Sequence, residues 1–145
     1  MKYTTIGLAA DHAGYELKET LKSFLSEKGI KCIDFGTDSK ESCDYADFAH
    51  PLATAVENKD VELGISVCGS GNGINMTVNK HVGIRAALCW NKEISELARV
   101  HNDANICSLP ARFISSDEAK AIIDAFLESE FEGGRHQRRI EKIPC

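Results

Sequence analysis

Two hydrophobic periodicities alternate along the whole chain. Five short apolar runs have the length and the β-branched content of buried strands. They are Thr5–Ala9, Lys31–Phe35, Leu63–Cys68, Gly83–Cys89 and Asn105–Leu109. Apolar residues between these runs recur at helical spacing, and strands that alternate with helices form a parallel sheet covered on both faces. Because the crossovers are right-handed, the pattern predicts a three-layer, doubly wound α/β fold with five parallel strands and helices on both faces.

The helical segments carry their own start and stop signals. Gly29 follows the first helical stripe and is a typical helix stop, and Ser115 with Glu118 fits a capping box at the start of the last long helix. Pro51 falls inside the second helical segment, so either the start or the straightness of that helix stays open.

Length and composition limit the classes of function. The 145 residues predict one domain, 1–145, with a basic tail over 130–145. The net charge of −5 argues against general nucleic-acid binding. No apolar run is as long as a membrane span requires, and the first residues lack the long apolar stretch of a signal peptide, so we expect a cytoplasmic protein. The six cysteines lack the spacing of a zinc site, and no cofactor fingerprint is present, so we expect neither metal nor cofactor.

A glycine-rich loop follows the third predicted strand. Its residues are Gly69, Ser70, Gly71, Asn72 and Gly73, directly after Cys68. Three alternating glycines let the backbone turn tightly, and their N–H groups, with a helix N-terminus behind them, form an anion cradle. The same groups would favour a thiolate, so Cys68 is predicted to be a partly ionised, exposed nucleophile or base.

Two further groups of polar residues are candidates for the same ligand-binding edge of the sheet, outside the carboxyl ends of the strands. Asp11 and His12 follow the first strand as an acid–imidazole pair, although Asp11 could simply cap the next helix. His101 and Asn102 follow the fourth helical segment. Since His101 continues the apolar stripe of that helix, it could equally be a hydrogen-bonded core residue.

The basic tail supplies the last candidates. Arg135 and Arg139 are four residues apart and share a face if the tail is helical. They could form a solvated helix end or a phosphate clamp, since guanidinium groups match phosphate oxygens. An anion cradle, a thiol base, an imidazole and a phosphate clamp together suit proton transfer beside the carbonyl of a small phosphorylated molecule.

Several motifs, in order, resemble the B-type ribose-5-phosphate isomerases, a family of sugar-phosphate isomerases that also acts on galactose 6-phosphate and allose 6-phosphate. The motifs are Asp11-His12-Ala13-Gly14, Cys68-Gly69-Ser70-Gly71-Asn72-Gly73, Asn79-Lys80, Gly83-Ile84-Arg85-Ala86, Arg99, His101-Asn102-Asp103-Ala104-Asn105 and Gly133-Gly134-Arg135-His136. The resemblance covers essentially the whole chain.

The resemblance implies a flavodoxin-like, Rossmann-like subunit without a cofactor, which forms homodimers or tetramers with active sites shared between chains. It implies interconversion of ribose 5-phosphate and ribulose 5-phosphate through an enediolate. Cys68 would be the general base and Ser70 would assist proton movement. The N–H groups of Gly69, Gly71, Asn72 and Gly73 would hold the enediolate.

The remaining roles also follow from the resemblance. His101 would open the furanose ring, with Asn102 beside the sugar oxygens. The other substrate-binding residues would be Asp11, His12, Arg112, Arg135 and Arg139, and a loop at Asp44 and Tyr45 would flank the substrate. In another branch of the family a glutamate replaces the base at the position of Ile74, so this chain fits the cysteine branch. Pro110 stands where relatives more often have glycine, which leaves the placement of Arg112 open.

Three alternatives stay open at this point. The same chemistry could act on a hexose 6-phosphate, or the chain could be a non-catalytic binding domain of the same fold. The site could also lie within one chain or between two. Because the tail is remote in sequence from Cys68, we expect some of His101, Asn102, Arg135 and Arg139 to serve the Cys68 of a partner.

Overall fold

A computed structural model describes residues 2–145. Five strands alternate with five helices along these residues, and a sixth helix follows at the end. The strands are β1 (Thr5–Ala10), β2 (Lys31–Asp34), β3 (Leu63–Cys68), β4 (Ala86–Leu88) and β5 (Ile106–Pro110). The helices are α1 (Tyr15–Glu27), α2 (Tyr45–Glu57), α3 (Asn72–Val78), α4 (Lys92–Val100), α5 (Ser116–Glu128) and α6 (Arg135–Ile140).

The sheet is parallel throughout, with strand order β2-β1-β3-β5-β4. Helices cover both faces: buried residues of α1, α4 and α5 form one apolar cluster with the sheet, and those of α2 and α3 form the other. The predicted α/β fold with five parallel strands is confirmed. None of the helices within residues 2–145 has the length and apolar character that a bilayer crossing requires.

Most of the local signals act as predicted. Gly29 lies just beyond α1 with φ +80°, and the capping box of Ser115 and Glu118 is formed in both directions. Pro51 sits inside α2, which begins six residues earlier at Tyr45. The exposed side of the helix accommodates the proline, whose ring position is in contact with solvent.

Two predictions are wrong, one about the length of the fourth strand and one about the packing face of α4. The fourth strand covers only Ala86–Leu88, because the preceding backbone is used otherwise: the N–H of Gly83 donates to Glu57 and that of Arg85 to the side chain of Asn105. In α4 the predicted apolar stripe includes Leu97, which is exposed. The helix packs on α5 instead through a face that holds the buried Ser95, whose hydroxyl donates to Ile122 O at 2.8 Å.

Candidate active site

Cys68 is the last residue of the central strand β3, where its backbone pairs with Pro110 at the end of β5. The two strands end in one connected turn. The N–H of Ala111 donates to Cys68 O at 2.9 Å, and the N–H of Arg112 donates to Gly69 O at 3.0 Å. Pro110 ends the strand, and the following two residues bond directly to the cysteine loop, which places Arg112 beside that loop.

The expectation of an exposed thiol is wrong for the single chain. Cys68 is only 4% exposed and packs with the apolar residues of α2 and α3, including Ile74. Side chains alternate along a strand, so Val67 faces the other helical layer and Cys68 is directed under the start of α3.

The glycine loop is shaped by close packing. Gly71 has φ +78°, and a Cβ there would lie 2.4 Å from Leu88 Cδ1. A Cβ on Gly73 would lie 2.5 Å from the ring of Tyr45, and one on Gly69 would lie 3.2 Å from Arg112 Nη1. Glycine is therefore needed at position 73 for the close approach of Tyr45 and at position 71 for the left-handed turn, whereas at Gly69 a small shift of the flexible Arg112 side chain would make room for a Cβ.

Asp11 and His12 lie at the same carboxyl edge as Cys68. The N–H of Asp11 donates to Val67 O at 3.2 Å, and its carboxylate accepts from the N–H of Gly14 at 3.1 Å. The N–H of Cys43 donates to Nδ1 of His12 at 3.2 Å. In the neutral imidazole that bond leaves the ring proton on Nε2, which makes His12 a hydrogen-bond donor at its free end.

A charged cluster of Asp34, Lys18 and Lys22 lies next to this edge. The carboxylate of Asp34, at the end of β2, accepts from Lys18 Nζ at 2.5 Å, from Lys22 Nζ at 2.7 Å and from the N–H of Gly36 at 2.9 Å. Lys18 is fully buried. Burial raises the pKa of Asp34, but the hydrogen bonds from Lys18 and Lys22 outweigh it and hold that pKa below its ordinary value. The cluster fixes the start of the loop that leads to Cys43.

His101 and Asn102 lie at the opposite edge of the sheet. Helix α4 starts from the carboxyl end of β4 and returns to the amino end of β5, so His101 caps its far end. Asn105 O accepts from the N–H of Gly64 near the start of β3. The expectation that His101 lies at the ligand-binding edge of its own chain is therefore wrong. About 15 Å of strand separates the two edges.

The ring of His101 stacks on that of His136, with centroids 4.2 Å apart and planes 13° from parallel. His136 is 6% exposed, and Glu132 Oε1 lies 3.9 Å from its Nε2. Burial, followed by the nearby His101 and Arg135, lowers the pKa of His136 below its ordinary value. His101 is thus half-buried against the flat ring of His136 rather than buried in the core, which corrects the core-histidine alternative.

The three side chains His101, Glu132 and His136 could also be considered as a metal site, because their ligand atoms lie within 4.8 Å of one another. Sequence spacing did not predict this group, since Glu132 is 31 positions beyond His101. The stacked rings argue against a metal in this arrangement. A metal binds in the plane of each imidazole, and the planes of two stacked rings do not converge on one point.

The basic tail belongs to the His101 side. The N–H of Glu132 donates to Val100 O at 3.0 Å, which fixes the start of the tail beside His101. Arg135 and Arg139 are exposed and lie on one face of α6, as predicted for a helical tail. Neither is brought to the Cys68 loop of the same chain.

The predicted residues therefore form two groups. The carboxyl-edge half-site contains Asp11, His12, Cys68, Gly69, Ser70, Gly71, Asn72, Gly73 and Arg112. The amino-edge half-site contains His101, Asn102, Arg135 and Arg139. Sequence reasoning did not assign His136, although it lies inside one of the motifs quoted above, next to Arg135.

A cavity of about 540 Å³ lies between α2 and α3. Tyr45 and Gly73 line it, but Cys68 does not. A second cavity of about 360 Å³ is lined mostly by the segment after α3 and by the end of the tail, including the exposed apolar residues Val82 and Ile143. The chemical groups of the two half-sites thus do not face one closed pocket within a single chain.

Comparisons with known proteins agree with the motifs. A family model described as Ribose/Galactose Isomerase matches residues 6–143. Ribose-5-phosphate isomerase B of Escherichia coli (strain K12) is 42% identical over 138 residues, which cover 95% of this chain and 93% of that protein.

Solved structures are equally similar. The structure of Clostridium thermocellum ribose-5-phosphate isomerase B superposes with a TM-score of 0.96 at 46% identity, covering 97% of this chain and 95% of the other. That of Mycoplasma genitalium ribose-5-phosphate isomerase B with bound ribulose-5-phosphate gives a TM-score of 0.92 at 42% identity, covering 97% and 93%. The chain therefore belongs to the ribose/galactose isomerase family and is an aldose–ketose isomerase.

Proposed function

We propose that the chain interconverts ribose 5-phosphate and ribulose 5-phosphate through an enediolate, in an active site that two copies of the chain build together. The position of Cys68 carries the proposal: a thiol at the end of the central strand, directly followed by the glycine loop and α3. The Mycoplasma genitalium relative with bound ribulose-5-phosphate supports a pentose phosphate as substrate.

Cys68 acts as the base. Its thiolate takes the proton from C2 of the open aldose, and the C–H electrons form the C1–C2 double bond of the enediolate. The same sulfur returns the proton to C1, while a proton moves between the two oxygens with help from Ser70. The reaction is redox-neutral within the molecule and needs no external oxidant or reductant. Cys68 is 4% exposed, so little water reaches the sulfur in the single chain.

The glycine loop stabilises the negative charge of the enediolate. The N–H groups at the start of a helix have no acceptor within that helix, and those of Gly69 to Gly73 precede or begin α3. Close packing fixes the loop before substrate arrives, as the contacts at Gly71 and Gly73 require. Donors that are already oriented contribute several kcal/mol to such a transition state, on the order of 3 kcal/mol for one donor.

Ring opening and phosphate binding require the second copy. His101 of the partner transfers a proton at the ring oxygen of the furanose, and Asn102 bonds the neighbouring hydroxyl groups. Arg135 and Arg139 pair with the phosphate, and Arg112, His12 and Asp11 complete the substrate contacts. Because His101 and Cys68 lie at opposite edges of one sheet, an antiparallel pair of chains brings each edge to its counterpart.

An exposed apolar surface supports pairing of chains. Val82 is 98% exposed, Met76 on α3 is 64% exposed and Ile143 in the tail is 60% exposed. Val82 and Ile143 line one cavity, and large apolar side chains that group in this way are typical of protein interfaces. Met76 lies on α3, whose first turn carries the glycine loop, so a partner that covers this helix would approach the carboxyl-edge half-site.

A direct assay tests the proposal. Wild-type protein and Cys68→Ala are compared with ribose 5-phosphate as substrate, and Cys107→Ala serves as a matched control because it removes a buried thiol from the neighbouring strand β5. We expect Cys68→Ala to lose about 10³-fold in kcat, the usual range for a general base, and the control to keep its rate. Equal rates in Cys68→Ala and wild type would remove Cys68 from the mechanism, and a preference for allose or galactose 6-phosphate would contradict the pentose substrate.

A further inference from the structure

Two arginines from the sequence motifs have no role in the reaction described above. Arg85 precedes β4, and Arg99 lies in the last turn of α4. Both side chains point to the turn that follows His101. That turn contains Asp103, a non-glycine residue with φ +47°.

Arg85 bonds the turn from the solvent side. Its Nε donates to Asn102 O at 3.0 Å, and its Nη2 donates to Asp103 O at 3.1 Å. The same Nη2 lies 3.4 Å from Asp103 Oδ2. One guanidinium thus holds two consecutive carbonyls, and the first of these belongs to the residue that is to contact the sugar.

Arg99 bonds the turn from the core side. Its Nη1 donates to Ala104 O at 2.5 Å and to Asp103 Oδ1 at 3.1 Å, and its Nη2 donates to the hydroxyl of Tyr3 at 2.9 Å. Arg99 is only 7% exposed, so it is rigidly held. The carboxylate of Asp103 therefore bridges a buried arginine and a surface arginine.

We propose that Arg85, Asp103 and Arg99 form an arginine clamp that positions His101 and Asn102 for ring opening. This inference rests on the proposed function. Residues beyond the end of a helix fray unless other contacts hold them, and His101 lies just after the last residue of α4. The clamp fixes the three residues that follow His101, and His136 supports its ring from the other side. A catalytic side chain needs such support to stay within about 0.5 Å of its working position.

Asp103→Asn is the most informative variant. Asparagine has nearly the same shape and tolerates a positive φ, so the substitution adds no steric strain while it removes both charge pairs. Arg85→Ala removes the surface half of the clamp, and Arg85→Lys restores a charge without the two-pronged fork. Asp60→Asn is the matched control, because Asp60 is also an exposed turn aspartate but lies outside the clamp.

The experiment separates ring opening from isomerisation. Cys68→Ala protein cannot move the C2 proton, so exchange between the two furanose anomers of ribose 5-phosphate labelled with ¹³C at C1 reports ring opening alone. We expect Cys68→Ala protein to accelerate the anomer exchange measured by NMR. Each further substitution is made in this Cys68→Ala background. There, His101→Ala abolishes the acceleration, Asp103→Asn or Arg85→Ala reduces it at least tenfold, Arg85→Lys reduces it less, and Asp60→Asn leaves it unchanged.

Thermal unfolding and ribose 5-phosphate affinity are measured on the same proteins, since a merely structural role would lower stability and leave ring opening intact in the folded protein. Unchanged anomer exchange in both folded Asp103→Asn and folded Arg85→Ala would overturn the clamp and leave the proposed function standing. If Cys68→Ala itself does not accelerate the exchange, ring opening by His101 is wrong and the clamp falls with it.

Discussion

The two edges of the sheet differ in chemistry although one chain builds both. The carboxyl edge holds the thiol of Cys68 and the glycine loop, and the amino edge holds His101 and the arginines of the tail. A βαβ crossover alternates between the two ends of a sheet, so residues that follow strands and residues that follow helices separate to opposite edges. One chain thus places the side chains that we propose for catalysis at two opposite ends of its sheet, so the proposed site needs two subunits.

The two edges are also stabilised differently. The carboxyl edge depends on tight backbone geometry, with Gly71 at a positive φ against Leu88, and on the charged cluster around Asp34. The amino edge depends on side-chain contacts to its turn, chiefly Arg85 and Arg99, and on a stacked pair of rings. Substitutions at the two edges should therefore differ in size and in pH dependence.

The largest stability effect is expected at Gly71. Gly71→Ala introduces a strained φ and a Cβ 2.4 Å from Leu88 Cδ1, and the two costs together amount to about 3 kcal/mol. Gly133→Ala is the matched control from the tail: its φ is +75° but no atom lies within 4 Å of the added Cβ, so about 1 kcal/mol is expected. Urea unfolding at one protein concentration measures both. Equal losses would show that packing at the loop contributes nothing.

A smaller effect is expected at the charged cluster. Asp34→Asn leaves the buried Lys18 with Glu19 as its remaining partner, 3.0 Å away, so we expect a loss of about 2 kcal/mol rather than the full cost of a broken buried pair. Since the pKa of Asp34 is lowered in the folded state, its contribution is complete above the ordinary carboxyl pKa of about 4 and declines as the pH falls below it.

Acid unfolding checks this prediction. The wild-type protein should lose stability more steeply than Asp34→Asn below pH about 4. If the free energy of unfolding falls equally steeply with pH in both proteins, the carboxylate of Asp34 does not contribute to stability as described.

The smallest effect is expected at His136 on the amino edge, in the pH dependence of the free energy of unfolding. The pKa of His136 is lowered in the folded state, so the unfolded chain binds more protons near and below pH 6.5 and stability rises with pH across that range. His136→Phe keeps a flat ring against His101 and removes the titrating group. Urea unfolding between pH 5 and pH 7.5 should give a shallower slope for the variant. An unchanged slope would mean that His136 is not held neutral.

The sequence predicted the fold well because strand and helix periods are local signals. The five apolar runs and the capping box at Ser115 required no tertiary information. The placement of His101 required tertiary information. The apolar stripe assigned His101 to the end of a helix, but only the strand order and the direction of α4 show that His101 lies at the opposite end of the sheet from Cys68. The burial of Cys68 could not be predicted either, because it depends on how α3 packs over the end of β3.

The clamp around Asp103 was equally out of reach. Arg85 is 18 positions from Asp103 in the sequence, and no local period links a residue before β4 to a turn after α4. The sequence motifs contain these residues without assigning them a role, and the function proposed for each follows only from hydrogen bonds that the fold creates.

Subunit complementation tests the shared site most directly. Cys68→Ala and His101→Ala proteins are each expected to be inactive, but a mixed dimer contains one site with an intact Cys68 from one chain and an intact His101 from the other. If equal amounts of the two proteins form two-fold dimers at random, half of the dimers are mixed. Each mixed dimer has one of its two sites intact, so we expect about a quarter of the wild-type activity. Mixed dimers, verified by mass, that stay as inactive as their parents would contradict a site divided between two chains.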